Sequence, residues 1–179
     1  MPGKTPSQAV DAFLRPLDRA ISCVSRIPLH ADGRSAGKTH MLTWNNDRPV
    51  LLKARHGQIR LELRMGYEIV PAAGERGPWK VATRVCTYSV HASDGADLLT
   101  YHWHPATVRE HRPHAHVGSA VLRPDAAITR KTHLPTGRTA IETVLRMCIK
   151  EFGVQSLRED WEHVLTTSED SFKKWQTWH

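Results

Sequence analysis

The chain gathers histidines in one short stretch, TYHWHPATVREHRPHAHVGSAV, which runs from Thr100 to Val121. Five of its 12 histidines fall within residues 102–116, and two of the groups share the spacing H-x-H. Histidine changes its charge near neutral pH, acts as a general acid or base, and binds transition metals through a ring nitrogen. In this stretch, therefore, the sequence concentrates side chains that can carry out chemistry.

The strands that carry these histidines can be aligned from the hydrophobic pattern. An Asp-Gly pair at residues 94 and 95 is a strong signal for a β-turn. If these two residues form the turn, apolar residues of the flanking strands fall opposite each other. The expected pairs are Cys86 with Trp103, Tyr88 with Tyr101, and Val90 with Leu99. A slip of one residue would put these side chains on opposite faces, so the pattern favours this register.

A second hairpin then places four histidines on the polar face of the sheet. If residues 105–113 form its loop, His104 lies opposite His114. In the same register, His102 lies opposite His116. Directly opposed side chains have Cβ atoms about 5 Å apart, so the four imidazoles are expected to form one cluster.

One hypothesis is acid–base cleavage of a phosphodiester, with RNA as the substrate. Two histidines and a cation can cleave RNA without a metal, because one ring removes the 2′-hydroxyl proton while another protonates the leaving oxygen. Crowded imidazoles oppose each other's protonation, which helps to keep one of them neutral. The predicted catalytic residues are His102, His104, His114 and His116. The arginines of the sheet and loop that could contact phosphate are Arg60, Arg64, Arg109 and Arg112.

A second hypothesis is a metal site, with zinc as the expected ion. An H-x-H pair on one strand and a histidine from the neighbouring strand can present three nitrogens to zinc. The predicted ligands are His102, His104 and His116. Glu62 and Glu110 are candidates for fixing the ring orientations. The chain has no CxxC pair, so a thiolate zinc site is not expected.

A third hypothesis assigns the histidines no chemistry. Histidine on the wet face of a strand is most often simply solvated, and alternation alone does not distinguish this case. The protein would then be a non-enzymatic module that binds nucleic acid or another protein through a basic face.

Another candidate site lies in the segment RKTHLPTGRTAIE, residues 130–142. Thr139 and Glu142 have the spacing of a capping box, which predicts that a helix begins here. Helix N-termini bind anions through their free N–H groups, so a phosphate could lie here with His133 close by. The residues predicted to bind phosphate, here and on the sheet, are Arg130, Lys131, Arg138, Arg60 and Arg64. The alternative is an ordinary turn before a capped helix.

The helices and strands that must position these residues can be predicted from the hydrophobic pattern, which indicates an α+β fold. Apolar residues at helical spacing indicate an N-terminal helix over about residues 6–26, with Thr5 as its cap. Alternating apolar and charged residues in QIRLELRMGYEIV, residues 58–70, indicate a long half-buried strand. Residues 30–40 are expected to form a polar loop.

The whole chain, residues 1–179, is expected to form a single domain. Its sheet should be an antiparallel β-meander of about five strands over about residues 48–122. Two or three C-terminal helices over about residues 139–178 should pack mainly on one face of that sheet, together with the N-terminal helix.

Composition favours a cytoplasmic protein with an anionic partner. The formal net charge is +7, which favours RNA or another anionic ligand. The three cysteines are far apart and odd in number, which is typical of free thiols in a reducing compartment. No apolar run is long enough to cross a bilayer, and the N-terminus lacks the apolar region of a secretory signal, so no membrane association is expected.

The series HWHP, PHAHV and HLPTGR, between Tyr101 and Phe152, resembles that of small uncharacterised bacterial proteins, some of them from toxin–antitoxin-type gene pairs. The resemblance implies a cytoplasmic bacterial protein with a small cognate protein partner and RNA as its target. Together with the histidine pattern, it leads to the hypothesis of a toxin-like ribonuclease. A zinc hydrolase or metal-binding protein and a non-enzymatic binding module are the alternatives.

Overall fold

The computed structural model describes residues 2–73, 77–105 and 111–175 and has an α+β architecture, as the sequence predicts. The helices of this part of the chain are α1 Pro6–Ile21, α2 Ile141–Lys150 and α3 Trp161–Trp175. The strands form one sheet and are β1 Pro2–Gly3, β2 Leu29–Ala31, β3 Thr39–Trp44, β4 Val50–Ala54, β5 Gly57–Pro71, β6 Trp79–Ala92, β7 Asp97–Trp103, β8 His114–Val117 and β9 Leu134–Pro135. These nine strands exceed the expected five, and α1 ends five residues earlier than residue 26.

The strand pairs in the described residues are all antiparallel, and the long strands β5 and β6 form the middle of the sheet. The main path runs β2-β3-β5-β6-β7-β8-β9, while β4 pairs with β5 and β1 pairs with β6. The histidine-bearing strands β7 and β8 therefore lie towards one edge, next to the short strand β9.

Alternation along β5 separates a buried face from a polar one, as predicted. Its buried residues, none more than 7% exposed, are Ile59, Leu61, Leu63, Met65, Tyr67 and Ile69. The helices contribute Ile21, Leu145 and Leu165 to the same hydrophobic cluster, so they cover this face. Full burial of one such side chain is worth about 1.5–3 kcal/mol relative to exposure. The opposite face keeps the charged residues of β5 and the histidines of β7 and β8.

The expected loop over residues 30–40 is shorter than predicted, because β2 and β3 occupy its two ends. Strand β3 alternates normally, but one of its buried positions is His40, which hides the pattern in the sequence. The ring of His40 is satisfied locally, since its Nε2 lies 2.8 Å from the carbonyl oxygen of Ser35.

Helix α2 begins without the predicted capping box. Its N-cap is Ala140, and no side chain caps the helix. Thr139 donates instead to the carbonyl oxygen of Gly137 at 3.3 Å. Glu142 points into the interior and is only 1% exposed. The spacing T-x-x-E was therefore misleading, because burial of the glutamate removes it from the helix end.

The buried carboxyl of Glu142 contacts the hydroxyl of Ser168, which has two possible hydrogen-bond acceptors. The Oγ atom of Ser168 lies 2.9 Å from the carbonyl oxygen of Pro16 and 2.5 Å from Oε1 of Glu142. A hydroxyl can donate only one hydrogen bond, so when Ser168 donates to Pro16, a protonated Oε1 of Glu142 can donate to Ser168. Oε2 of Glu142 is buried and has no hydrogen-bond partner among the described residues. Burial, the largest effect, raises the pKa of Glu142.

Replacing Glu142 with glutamine is expected to stabilise the protein at neutral pH. A raised pKa in the folded state means that stability is full below the unfolded pKa, near 4.5, and is lost as pH rises through the folded pKa. Glutamine does not ionise, so E142Q avoids this loss of stability. The Tm at pH 7.5 should rise by roughly 2–4 °C for each kcal/mol gained in the free energy of unfolding. Thermal unfolding at pH 4 and pH 7.5 measures the difference.

The exposed Glu151 at the end of α2 provides the control, since E151Q should leave Tm nearly unchanged at both pH values. An equal change in Tm for E142Q at pH 4 and pH 7.5 would contradict a raised pKa for the buried carboxyl of Glu142.

Candidate functional site

Strand register places three of the predicted histidines on the polar face. In one row across the sheet, Thr87 of β6 faces His102 of β7, which faces His114 of β8. In the next row, Thr100 faces His116. Cross-strand partners share a face, so these three imidazoles lie on the same side. The predicted pairs of the first hairpin, such as Tyr88 with Tyr101, are confirmed.

The register of the second hairpin differs from the prediction by two residues. His102, not His104, lies opposite His114, and His116 pairs with Thr100. A shift of two residues preserves the faces, because side chains alternate with a period of two. The predicted face is therefore correct although the predicted partners are wrong. His104 follows the end of β7, and its Nε2 lies 3.2 Å from Nδ1 of His102.

A fifth histidine, His133, completes the cluster from the segment that leads into β9. Its ring centroid lies 4.5 Å from that of His114 and 4.7 Å from that of His116. The candidate ligand atoms of these three residues all lie within 4.8 Å of one another. The predicted metal ligands were His102, His104 and His116. Of these, only His116 belongs to the group of three, and His114 and His133 were not predicted as ligands. We call His114, His116 and His133 the histidine trio.

Two members of the histidine trio are held by backbone carbonyl groups. Nδ1 of His114 lies 2.9 Å from the carbonyl oxygen of Arg112, and Nδ1 of His116 lies 3.1 Å from that of Arg130. A carbonyl oxygen only accepts hydrogen bonds, so both Nδ1 atoms carry the hydrogen. In this tautomer a neutral ring carries its lone pair on Nε2, and His116 has a further backbone contact with Thr132. Metal-binding histidines are typically oriented in this way.

Burial and repulsion from neighbouring histidines lower the pKa of His102, His104 and His116 and so favour their neutral forms. Burial, followed by the neighbouring histidines, lowers the pKa of His102 to about 4. Burial also lowers the pKa of His104 and of His116, with a further contribution from His114 in each case. Neutral imidazole is the form that binds a metal.

A cavity of about 350 Å³ opens beside the cluster on the same face. Its lining residues are Asp97, Thr100, His102, His116, Val117, Gly118, Arg130 and Lys131. Within the described ranges, neither Arg130 nor Lys131 forms an ion pair with a carboxylate. Two unpaired cations next to neutral imidazoles make this cavity suited to an anion.

The remaining predicted phosphate-binding residues lie elsewhere. The guanidinium of Arg138 stacks on Trp103 at 4.6 Å and on Phe172 at 5.3 Å, on the helix-covered side of the sheet. Arg64 is paired with Asp47 at 2.6 Å. Arg60 lies on β5, two strands from the histidines of β7, and faces His91. Of the five predicted residues, the structure brings only Arg130 and Lys131 to the cavity.

The sequence also predicted site roles for four further residues, which are Glu62, Arg109, Glu110 and Arg112. Oε1 of Glu62 lies 3.7 Å from Nε2 of His91, so this carboxylate faces a histidine outside the cluster. Arg112 contributes its carbonyl oxygen to the site. The predicted roles of Arg109 and Glu110 fall outside the described residues.

The sequence did not predict two contributors to the site, the place of His133 in the histidine trio and the carboxylate of Asp97 in the cavity. No local signal identifies either residue. His133 lies in a segment without periodicity, and the pairing of β9 with β8 brings it to the cluster. Asp97 starts a strand, which is an ordinary place for an aspartate.

Comparison with family models, with curated proteins and with solved structures found no match for this chain. Among the helices that the structure describes, none combines the length and apolar character needed to cross a bilayer. The resemblance to toxin–antitoxin proteins and the implied protein partner stay predictions from the sequence.

Proposed function

We propose that the protein is a metal-dependent hydrolase of phosphodiesters, with RNA as the substrate and the histidine trio as the metal ligands. The observation that carries this proposal is the convergence of three imidazoles, two of which are fixed through Nδ1 by backbone carbonyl groups. An all-nitrogen ligand set suits zinc, copper, nickel or iron rather than magnesium or calcium. Zinc is the ion we expect first.

The residues present fit such an ion. Three nitrogens bound to one zinc at about 2.0–2.1 Å lie about 3.3 Å apart. The ligand atoms of the histidine trio already lie within 4.8 Å of one another, so modest side-chain rotations suffice. When bound, the ion would supply Lewis-acid chemistry at the mouth of the cavity.

The other residues of the site have roles that follow from their charges. Arg130 and Lys131 would bind the phosphate, because both are unpaired cations of the described chain at the cavity. His102 lines the same cavity, and its Nδ1 contacts Nε2 of His104. That contact allows a proton to pass between the two rings, so His102 is the residue we expect to exchange a proton with the substrate.

Cleavage of a labelled single-stranded RNA by the purified full chain tests the proposal. We expect cleavage with zinc, loss of cleavage after chelation, and recovery when zinc is restored. H116A should be inactive, while H56A, which changes an exposed histidine in the β4–β5 turn, should remain active.

Cleavage that survives chelation would replace the metal mechanism with the acid–base alternative. The absence of cleavage by the zinc-loaded protein would leave a metal-binding protein without this activity.

A further inference from the structure

The cavity beside the histidine cluster contains a carboxylate, although its other charged groups suit an anion. Asp97 lines the cavity together with Arg130 and Lys131. A carboxylate repels a nearby phosphate. In a phosphate-binding cavity, Asp97 is therefore expected to contact another group of the ligand. Carboxylate oxygens accept hydrogen bonds from hydroxyl groups.

Asp97 is held in position by a neighbouring strand. Its Oδ1 lies 2.9 Å from Nδ1 of His91, and the His91 side chain is only 16% exposed. The register between β6 and β7 shifts by one residue after Val90, and the shift places Asp97 opposite His91. Such a bulge redirects a side chain, and bulges are common next to active sites.

The cavity therefore presents acceptors as well as cations. Within the described part of the chain, no hydrogen bond is made to Oδ2 of Asp97. Thr100, also in the cavity, directs its hydroxyl hydrogen to Ser89 at 3.4 Å and so presents an oxygen acceptor. A ligand that satisfies this cavity carries a negative group for the two cations and a hydroxyl that donates to one of the two acceptors.

We infer that Asp97 determines specificity by accepting a hydrogen bond from a ribose 2′-hydroxyl next to the phosphate that Arg130 and Lys131 bind. The inference rests on the proposed function and names its substrate class, a ribonucleotide rather than a deoxyribonucleotide. Thr100, three residues further along β7, lines the same cavity and offers a second oxygen acceptor. The 2′-hydroxyl is the group by which proteins distinguish RNA from DNA at a given site.

Calorimetric titration of the full chain, as purified, with two small probes tests the inference. The probes are adenosine 3′-monophosphate and its 2′-deoxy counterpart, which lack a phosphodiester to cleave. The wild type should bind the ribose form roughly tenfold more tightly, the difference expected for one hydrogen bond to a charged group. D97N should lower the ratio towards one, because it removes the negative charge that strengthens the hydrogen bond from the 2′-hydroxyl.

D97N has a second expected effect that a simple loss of structure would not produce. It removes a negative charge from the cavity, so the deoxy probe should bind more tightly than it does to the wild type. T100V, which keeps a β-branched side chain on the strand, should reduce the ratio by roughly threefold. D125N is the matched control, because Asp125 is paired with Arg123 outside the cavity.

Equal binding of the two probes by the wild type, or an unchanged ratio in D97N, would overturn the inference. The RNA cleavage assay is separate from these titrations. A protein that prefers the ribose probe but cleaves no RNA would support the inference and overturn the proposed function.

Discussion

Replacing His133 with alanine is expected to remove the bound metal, whereas replacing His104 leaves it in place. The ligand atoms of His133 lie within 4.8 Å of those of His114 and His116, and the histidine trio does not include His104. Loss of one of three ligands should weaken zinc binding by roughly 100-fold or more, since even indirect partners of a metal site are worth 10–100-fold.

Metal content of the untagged protein by mass spectrometry, followed by competition with a chelator, provides the measurement. The wild type and H104A should each hold one zinc per chain, and H133A should hold little. H163A is the matched control, since His163 is an exposed residue on α3. Loss of zinc from H104A with retention in H133A would favour the ligands predicted from the sequence and contradict the histidine trio.

The second large effect is expected from a single methyl group at Gly118. A Cβ at this position would clash with the backbone carbonyl group of Asp97. The backbone of Gly118 is extended, with φ −69°, so the requirement is for space and not for an unusual dihedral angle. Its N–H also donates to the carbonyl oxygen of Leu98 at 2.8 Å.

G118A should therefore separate the segment after β8 from the start of β7. We expect a loss of about 2–3 kcal/mol in the free energy of unfolding. The corresponding fall in Tm is roughly 4–12 °C. Because Gly118 and Asp97 both line the cavity, binding of adenosine 3′-monophosphate should weaken as well.

Gly137 offers the comparison, because a Cβ there would meet nothing within 4 Å. G137A should be neutral or stabilise the protein by up to about 1 kcal/mol. Urea unfolding of both variants measures the difference, and similar stabilities would mean that the close contact of Gly118 with β7 does not exist in solution.

The polar face of the histidine strands was predictable because alternation fixes which residues share a face. The exact partners were not predictable, since a shift of two residues puts the same side chains on the same face. His102 could thus be paired with His116 or with His114 without any change in the hydrophobic pattern. Only the conformation of the loop after β7 decides between these registers, and the sequence leaves that open.

Short elements and loop residues escaped prediction for a related reason. Strands β1 and β9 have two residues each, which is too short for any period. Arg138 was expected at a phosphate, but a basic residue in a loop can stack on an aromatic ring equally well, as it does on Trp103. His133 reaches the cluster through tertiary pairing alone, so local spacing carries no sign of it.

The short pairing between β8 and β9 gives metal binding a mechanical consequence. Only His114 with Pro135 and Ala115 with Leu134 join these strands, and residues 118–133 connect them with little regular structure. An ion bound by His116 and His133 would close that connection as a covalent link does, and it would stabilise this edge of the sheet. Arg130 and Lys131 belong to the closed segment, so the metal would organise the anion-binding cations as well. Zinc depletion would therefore expose this segment to proteases and weaken phosphate binding in a single step.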